Sequence, residues 1–128
     1  VISVGDINND GYPDFIANGT GNAGGVVFIN NRNKSFTPTQ LVAPNTSGLN
    51  WFASLADINN DGRLDAVFSD DNITTTPATT TFRFFTQNSA GEFEPYELGE
   101  IAAEKSISRG GSWADYDKDG DQDFIRSR

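Results

Sequence analysis

Short apolar runs alternate with polar segments rich in glycine and asparagine along the whole chain. The runs are about four to eight residues long and rich in Val, Ile and Phe, which is typical of β-strands. In the first part of the chain this pattern predicts strands over residues 1–4, 14–17, 26–29 and 36–43. The last of these contains Pro38, and proline cannot donate to a central ladder. We therefore expect it to be an edge strand.

The same order of elements returns in the second part of the chain. Strands are predicted over residues 51–56, 65–68, 82–86 and 93–98. Pro95 occupies the place that Pro38 holds in the first series, so the two series correspond strand by strand. The segment between the second and third of these strands, residues 69–81, is predicted to be a long connection that contains a threonine-rich run.

A third series begins near the end of the chain, with strands predicted over residues 112–114 and 124–126. Residues 100–106 are the only segment with a helical pattern, and they would form at most about two turns. The chain as a whole is therefore predicted to be all-β.

One acidic motif, D-x-[DN]-x-D-G-x-x-D, separates the first two strands of every series. It occupies residues 6–14, 57–65 and 115–123. Oxygen-bearing side chains stand at loop positions 1, 3, 5 and 9, and glycine stands at position 6. Side chains at alternate positions of a tightly curled loop converge on one point, and a hard cation such as Ca²⁺ takes about six to eight oxygen ligands.

Other features of the motif fit the same chemistry. Position 7 is occupied by Tyr12, Arg63 and Asp121, a freedom that is expected if this residue contributes only its backbone carbonyl. The glycine lies where the chain must reverse, and glycine tolerates a positive φ without strain. The last aspartate can chelate through both oxygens and also begin the next strand. We interpret the motif as three calcium loops.

A solvated turn is the alternative explanation for any single copy, because Asp, Asn and Gly are common turn formers. Three copies with the same constrained positions favour a metal site. An EF-hand is excluded, because it requires a bidentate Glu at loop position 12 and flanking helices. That position is held here by Ala17, Phe68 and Arg126, and the flanking segments have the pattern of strands.

The chain of 128 residues has a formal charge of −9, and 11 of its 18 acidic residues lie in the three loops. A nucleic-acid partner is not expected, because it would require a basic surface. Membrane insertion is not expected either, because no run approaches the ~18 apolar residues of a membrane helix. The chain opens directly on a predicted strand with no visible signal peptide, so we expect its natural N-terminus to lie upstream.

The chain has no cysteine, so cysteine usage gives no information about its compartment. The predicted calcium loops are the better indicator. Loops without a closing Glu suit the high calcium concentration outside cells, so we expect an extracellular or cell-surface location. Four N-x-[ST] sequons, at Asn18, Asn33, Asn45 and Asn72, are consistent with N-glycans on a secreted protein. The segment from Thr74 to Thr81 has the composition of an O-glycosylated stretch or of a β-prone or disordered loop.

The loops begin at Asp6, Asp57 and Asp115, so successive loops are about 50 to 60 residues apart. A period of about 50 residues with four short strands in each unit is typical of β-propeller blades. The predicted fold is therefore all-β, with four-stranded antiparallel sheets as blades and a calcium loop between the first and second strand of each. The chain would contain about two and a half blades, whereas a closed propeller takes at least about four. We therefore expect a fragment of a longer propeller or a protomer that neighbouring copies complete.

Residues 56–67 (ADINNDGRLDAV) and 113–123 (WADYDKDGDQD) resemble the FG-GAP/VCBS repeat, which is found in integrin α-subunit propellers and in many secreted propeller proteins. The resemblance implies that residues 1–50 form repeat 1, residues 51–111 form repeat 2 and residues 112–128 form the truncated start of repeat 3. In that family the loop between the first two strands binds Ca²⁺. Three Ca²⁺ sites are therefore implied here.

The ligands that the resemblance implies follow the motif residue by residue. In the first loop they are Asp6, Asn8, Asp10, Tyr12 through its carbonyl, and Asp14. In the second loop they are Asp57, Asn59, Asp61, Arg63 through its carbonyl, and Asp65. In the third loop they are Asp115, Asp117, Asp119, Asp121 through its carbonyl, and Asp123.

The first functional hypothesis is an extracellular calcium-binding module, structural or adhesive, with a protein or glycan ligand. It could assemble through open blade edges into a larger propeller, a polymer or a surface fibre. The second hypothesis is a carbohydrate-binding propeller (a lectin) or the non-catalytic scaffold of a polysaccharide-acting enzyme. Trp51, Trp113, Tyr96 and Tyr116 could stack on sugars, although aromatic residues in strands more often belong to the core.

Intrinsic catalysis is the third hypothesis, and we do not expect it. The absence of His and Cys excludes the Ser-His-Asp and Cys-His machineries. Two carboxylates could in principle cut a glycoside, but the aspartates are better used as calcium ligands. The glutamates fall on positions with a solvated pattern, at Glu92, Glu94, Glu97, Glu100 and Glu104.

Overall fold

The computed structural model describes residues 1–19, 24–43, 50–97, 108 and 110–127. Every regular element in this part of the chain is a β-strand, which confirms the prediction of an all-β fold. No helix among these residues is long and apolar enough to cross a membrane. The segment 100–106, predicted as a short helix, lies outside the described residues.

The first series of strands forms one antiparallel sheet with the order β1-β2-β3-β4. Its strands are β1 (Ile2–Gly5), β2 (Asp14–Gly19), β3 (Gly24–Asn30) and β4 (Phe36–Val42). The strand that contains Pro38 lies at the edge of this sheet, as predicted. Consecutive strands are neighbours throughout, so each connection is a hairpin.

The second series forms an equivalent antiparallel sheet with the order β5-β6-β7-β8. Its strands are β5 (Ala53–Ala56), β6 (Asp65–Asn72), β7 (Thr79–Gln87) and β8 (Phe93–Tyr96). The third sheet contains only two strands, β9 (Gly111–Ala114) and β10 (Asp123–Arg126). The predicted four-stranded antiparallel units are thus present twice, and the described strands form three separate sheets.

The prediction of a long connection over residues 69–81 is wrong. β6 continues to Asn72 and β7 begins at Thr79, because Asp70 pairs with Thr81 and Asn72 pairs with Thr79. Threonine is β-branched and favours strands. The last threonines of the run therefore belong to β7 and lengthen the hairpin.

The depth of Thr80 bears on the predicted O-glycosylation. Thr80 is fully buried, and its Oγ1 accepts a hydrogen bond of 3.0 Å from the backbone N of Ser108. A sugar on Thr80 is therefore incompatible with the folded chain. Residues 74–76, in contrast, lie in the connection between β6 and β7 and are exposed.

The core lies between the sheets, and the second sheet is buried on both faces. Alternate residues of a strand point to opposite faces of the sheet, so β6 contributes side chains to two cores. Ala66 and Phe68 belong to the first core cluster, whereas Val67 belongs to the second. The central position of β6 explains why its first five residues are all buried.

The first core cluster joins the first and second sheets. It contains the buried residues Ile7, Ile16, Val27, Val42, Ala53, Ala66, Phe68 and Phe85. The second cluster joins the second and third sheets. It contains Phe52, Ile58, Val67, Phe82 and Phe84, with Trp113 and Phe124 packed against them. Trp113, predicted as a possible sugar-stacking residue, is therefore part of the packing between sheets.

Asn18 connects the first two sheets by hydrogen bonds. Its Nδ2 donates to the carbonyl oxygens of Phe52 (2.9 Å) and Ser69 (2.8 Å), and the residue is 2% exposed. An N-glycan at Asn18 is incompatible with this position, because glycosylation requires an accessible side-chain nitrogen. Among the other sequons, Asn33 is exposed and Asn72 is half-buried. Asn45 lies outside the described residues.

Phe68 packs closely against the first sheet, because a Cβ added at Gly25 would lie 2.8 Å from the Phe68 ring. We expect Phe68→Ala to lower the free energy of unfolding by about 3–5 kcal/mol, since it leaves a cavity between two sheets. Phe36→Ala is the matched control, because Phe36 is 41% exposed. Denaturant unfolding of both variants would measure the difference, and equal losses would contradict the packing described here.

Candidate metal centre

The three acidic loops share the two positions at which φ is positive. Each runs between the first two strands of its sheet and has two residues with positive φ. At loop position 6 these are Gly11 (84°), Gly62 (84°) and Gly120 (99°), as predicted. A Cβ at these glycines would meet no atom within 4 Å, so the backbone angle, not space, explains the glycine.

A second positive φ at loop position 4 was not predicted. It occurs at Asn9 (56°), Asn60 (59°) and Lys118 (63°). Asparagine is enriched in the left-handed region, so the residue type at Asn9 and Asn60 could have indicated a positive φ at this position. Lys118 gives no such signal.

The first aspartate of each loop accepts hydrogen bonds from the backbone of the same loop. Asp6 accepts from the N of Asp10 through Oδ1 (2.9 Å) and from the N of Gly11 through Oδ2 (2.8 Å). Asp57 makes the two equivalent bonds in the second loop, at 2.9 and 2.8 Å. In the third loop Asp115 accepts from the N of Gly120 at 3.2 Å. The loop therefore curls around the carboxylate at position 1.

Positions 3 and 5 continue this curl. The oxygens of Asn8 and Asp117, both at position 3, accept from the backbone N two residues later, each at 3.2 Å. At position 5, Asp10, Asp61 and Asp119 accept from the backbone N of position 7 at 2.9, 3.0 and 3.1 Å. Side-chain oxygens at positions 1 and 5 thus accept backbone hydrogen bonds in all three loops, and the oxygen at position 3 does so in the first and third.

The last aspartate binds the loop to the sheet in the first two units. Asp14 is fully buried, and its two oxygens accept from the backbone N of Ile7 (2.8 Å) and of Asn30 (2.7 Å). Asp65 is equally buried and accepts from the N of Ile58 and of Gln87, both at 2.8 Å. These bonds join the loop, the second strand and the third strand. The motif predicts this residue as a ligand but does not reveal its structural role.

Asp65 and its counterpart in the third unit have different environments. Burial raises the pKa of Asp65, and the two backbone hydrogen bonds oppose this effect. Asp123 accepts from the N of Tyr116 at 2.8 Å and is only partly buried. The described part of the third unit has two strands, so it offers no third-strand amide to this carboxylate.

Arginine side chains pair with the position 5 carboxylate in the first two loops. Arg32 contacts Asp10 at 2.8 Å, and this hydrogen bond is the largest cause that lowers the pKa of Asp10. Arg63 pairs with Asp61 and also donates from Nε to the carbonyl of Gln87 at 2.9 Å. Desolvation alone would raise the pKa of Asp61, but the hydrogen bonds from Arg63 and Asn59 and the charge of Arg63 together lower it.

Neither ion pair was predicted. Arg63 was considered only as a carbonyl ligand, and Arg32 lies 22 residues along the chain from Asp10. Asp10 and Arg32 meet because the loop after β1 and the turn after β3 lie at the same end of the first sheet.

The third loop concentrates negative charge. One carboxylate oxygen from each of Asp115, Asp117 and Asp123 lies within 4.8 Å of the other two, an arrangement found only here when the acidic side chains of the described residues are compared. None of the ion pairs in the described part of the chain involves the third loop. Desolvation, followed by the charge of Asp119, raises the pKa of Asp117.

Asp119 and Asp121 interact within the same loop. Their mutual hydrogen bond, followed by the charge of Asp119, raises the pKa of Asp121. The backbone N–H of Asp121 is the largest cause that lowers the pKa of Asp119. The third loop is therefore the part of the described chain where a cation would relieve most repulsion.

The donor set fits a hard divalent cation. The three loops offer carboxylate, amide and carbonyl oxygens, which are the ligands that Ca²⁺ takes. All 15 residues predicted as ligands lie in the loops or at the first residue of the strand that follows. The second and third loops also touch each other, since Asn60 donates from Nδ2 to the carbonyl of Gly120 at 3.2 Å.

Residues 6–68 match the model of a protein family described as FG-GAP-like repeat. The match begins at the first aspartate of the first loop and ends in β6, so it contains two loops and all the strands between them. It confirms the resemblance that the motif suggested. Searches of curated proteins and of solved structures gave no significant match.

The buried aspartate gives a prediction that does not depend on metal. We expect Asp65→Asn, measured in EGTA, to lower the free energy of unfolding by about 1–3 kcal/mol, because one of two buried backbone N–H groups would face an NH₂ group. Asp123→Asn is the matched control at the same loop position and should cost less. Chemical denaturation followed by circular dichroism measures both. Equal costs would contradict the structural role of Asp65.

Proposed function

Because residues 6–68 match the model of the FG-GAP-like repeat family, we propose that this chain is a calcium-binding structural module of a β-propeller-like domain. One Ca²⁺ in each loop would hold the first hairpin of each unit. The chain would act by support and adhesion, without catalysis of its own. The observation that carries this proposal is the triplet of similarly curled acidic loops, each placed between the first two strands of a sheet.

The electrostatics of the loops support a stabilising role for the metal. Clustered carboxylates repel one another until a cation binds, so the free energy of metal binding contributes to folding. Backbone amides and arginines partly compensate the charge in the first two loops. The third loop has five aspartates and no ion pair among the described residues. In this proposal its hairpin depends most on calcium.

The chemistry of the loops also supports an extracellular or cell-surface location. The loops lack the closing bidentate Glu of high-affinity EF-hand sites. Calcium sites of extracellular modules have dissociation constants of about 10⁻⁴–10⁻³ M and are filled only where calcium is abundant. N-glycans at Asn33 and Asn72 would be compatible with this location, since neither residue is buried.

Exposed apolar side chains support association with further units. Ile2 and Val4 are 66% and 63% exposed, and Val4 pairs with Phe15 on one face of the first sheet. At the other end of the stack, Ile125 of the third sheet is 50% exposed. Such residues would be covered if the chain were a fragment or protomer of a larger propeller, polymer or surface fibre.

The packing of the second sheet against the first and the third indicates how a further unit would associate. Phe68 of the second sheet packs towards the first, and Val67 packs towards the third. By position in the repeat, Ala17 corresponds to Phe68, and Ile125 corresponds to Val67. The outer face of the first sheet and the outer face of the third are thus the two halves of one heterologous interface. Further units would add to these faces, not to the strand edges.

Calcium removal tests the proposal directly. At about 100 times its dissociation constant, a ligand of the folded state adds about 2.7 kcal/mol, which corresponds to a rise in Tm of about 10 °C for a chain of this size. Thermal unfolding in CaCl₂ and in EGTA measures this shift, with MgCl₂ as the control for ionic strength. An unchanged Tm in calcium would refute the proposal.

The third loop provides the matched variants. The double variant Asp115→Asn, Asp117→Asn should lose part of the calcium-induced rise in Tm, because two neighbouring carboxylates disappear. Glu92→Gln removes an exposed carboxylate in the turn after β7 and should keep the full rise. An equal response of the two proteins would show that the third loop does not bind calcium.

A further inference from the structure

A groove of about 400 Å³ opens between the end of β4 and the second sheet. Its apolar walls include Leu41 from the first unit and Phe85 and Pro95 from the second. This volume lies within the range of about 300–1,000 Å³ that is typical of small-ligand sites. No residue of the acidic loops lines the groove, so a ligand here would not depend on calcium in the loops.

A charged pair lies in this groove. Arg83 donates to Oδ2 of Asp70 from Nε (3.2 Å) and from a terminal nitrogen (3.0 Å). The Arg83 side chain is 53% exposed and that of Asp70 is 18% exposed. A guanidinium has five N–H donors, so these two bonds leave others for a ligand. Thr81, directly across the strand pair from Asp70, also lines the groove.

The repeat itself does not require this pair. Phe85 pairs with Ala66 in the second sheet as Phe28 pairs with Phe15 in the first. By this register Arg83 corresponds to Val26 and Asp70 corresponds to Gly19. The first unit thus builds the same sheet without either charge. An exposed ion pair also stabilises a fold very little, so its presence in one unit alone indicates a separate role.

The charges select a neutral ligand. The carboxylates of Asp70 and Glu97 line the groove, and the chain carries a net charge of −9, so an anion would be repelled. A cation would have to compete with Arg83 for Asp70, because these two side chains already form an ion pair. A hydroxyl group both donates and accepts hydrogen bonds, so neighbouring hydroxyls can bond to the carboxylate and the guanidinium together. The apolar face of a sugar ring would then lie against Pro95 and the exposed side chain of Tyr96.

We propose that the groove between the first and second sheets binds a neutral carbohydrate, with Arg83 and Asp70 as its polar contacts. The site would give the module a ligand of its own, in addition to the structural role of the loops. Of the four aromatic residues considered for sugar stacking, Tyr96 lines the groove, whereas Trp51, Trp113 and Tyr116 do not.

The test is a titration of the ¹⁵N-labelled chain, in saturating calcium, with glucose, galactose, mannose, fucose and N-acetylglucosamine. We expect saturable shifts of the backbone signals of Thr81 and Arg83 with at least one of these sugars. Glucuronic and galacturonic acid serve as charged probes and should bind more weakly. Absence of shifts in the groove with all the neutral sugars, or tighter binding of the acids, would overturn the proposal.

Variants connect the shifts to the charged pair. Arg83→Gln and Asp70→Asn should each weaken binding about tenfold or more, because each removes a charged hydrogen-bonding partner. Lys34→Gln removes an exposed cation outside the groove and should leave the affinity unchanged. Thr81→Val is a further variant of the groove if a charge variant fails to fold. Affinities that are equal in all folded variants would refute the assignment, whatever the effect of calcium on Tm.

Discussion

The fold depends on a buried carboxylate that accepts two backbone amides. Asp14 and Asp65 begin the second strand of their sheets, and each binds one N–H from its loop and one from the third strand. Charge-assisted bonds of this kind are shorter and stronger than neutral ones. Aspartate at this position thus has two structural roles. One oxygen accepts the N–H of the third strand, and the other accepts the N–H of the loop. In the proposed function, metal coordination would be a third role for the same two carboxylate oxygens.

The position of the loop also sets the packing between sheets. Ile7 and Ile58 follow the first aspartate of their loops and belong to the two buried clusters. Their backbone N–H groups are bound by Asp14 and Asp65, so the same residue enters the core and closes the loop. Any ion that fixed the loop would therefore also fix an apolar anchor between neighbouring sheets. This coupling is a physical reason to expect that calcium affects global stability and not only local order.

Much of the architecture could be predicted because the sequence repeats. The three motifs, the edge position of Pro38 and the order of the strands were all available from the pattern of residues. The hydrogen bonds of Asn18 were not, because they join residues 34 and 51 positions apart in different sheets. The pairing of Arg32 with Asp10 depends in the same way on the relative position of two turns. The threonine-rich run was assigned to a connection, although its β-prone character was noted, because its polar residues do not form an apolar strand pattern.

Identical motifs do not imply identical sites. In the first loop an arginine from a neighbouring turn meets the position 5 aspartate, and in the second loop the arginine comes from the loop itself. The third loop has aspartate at positions 3 and 7, where the other two have asparagine at position 3 and no acid at position 7. Its last aspartate also lacks a third-strand amide among the described residues. Charge compensation by the protein is therefore weaker in the third loop than in the first two, and a bound cation would relieve most repulsion there.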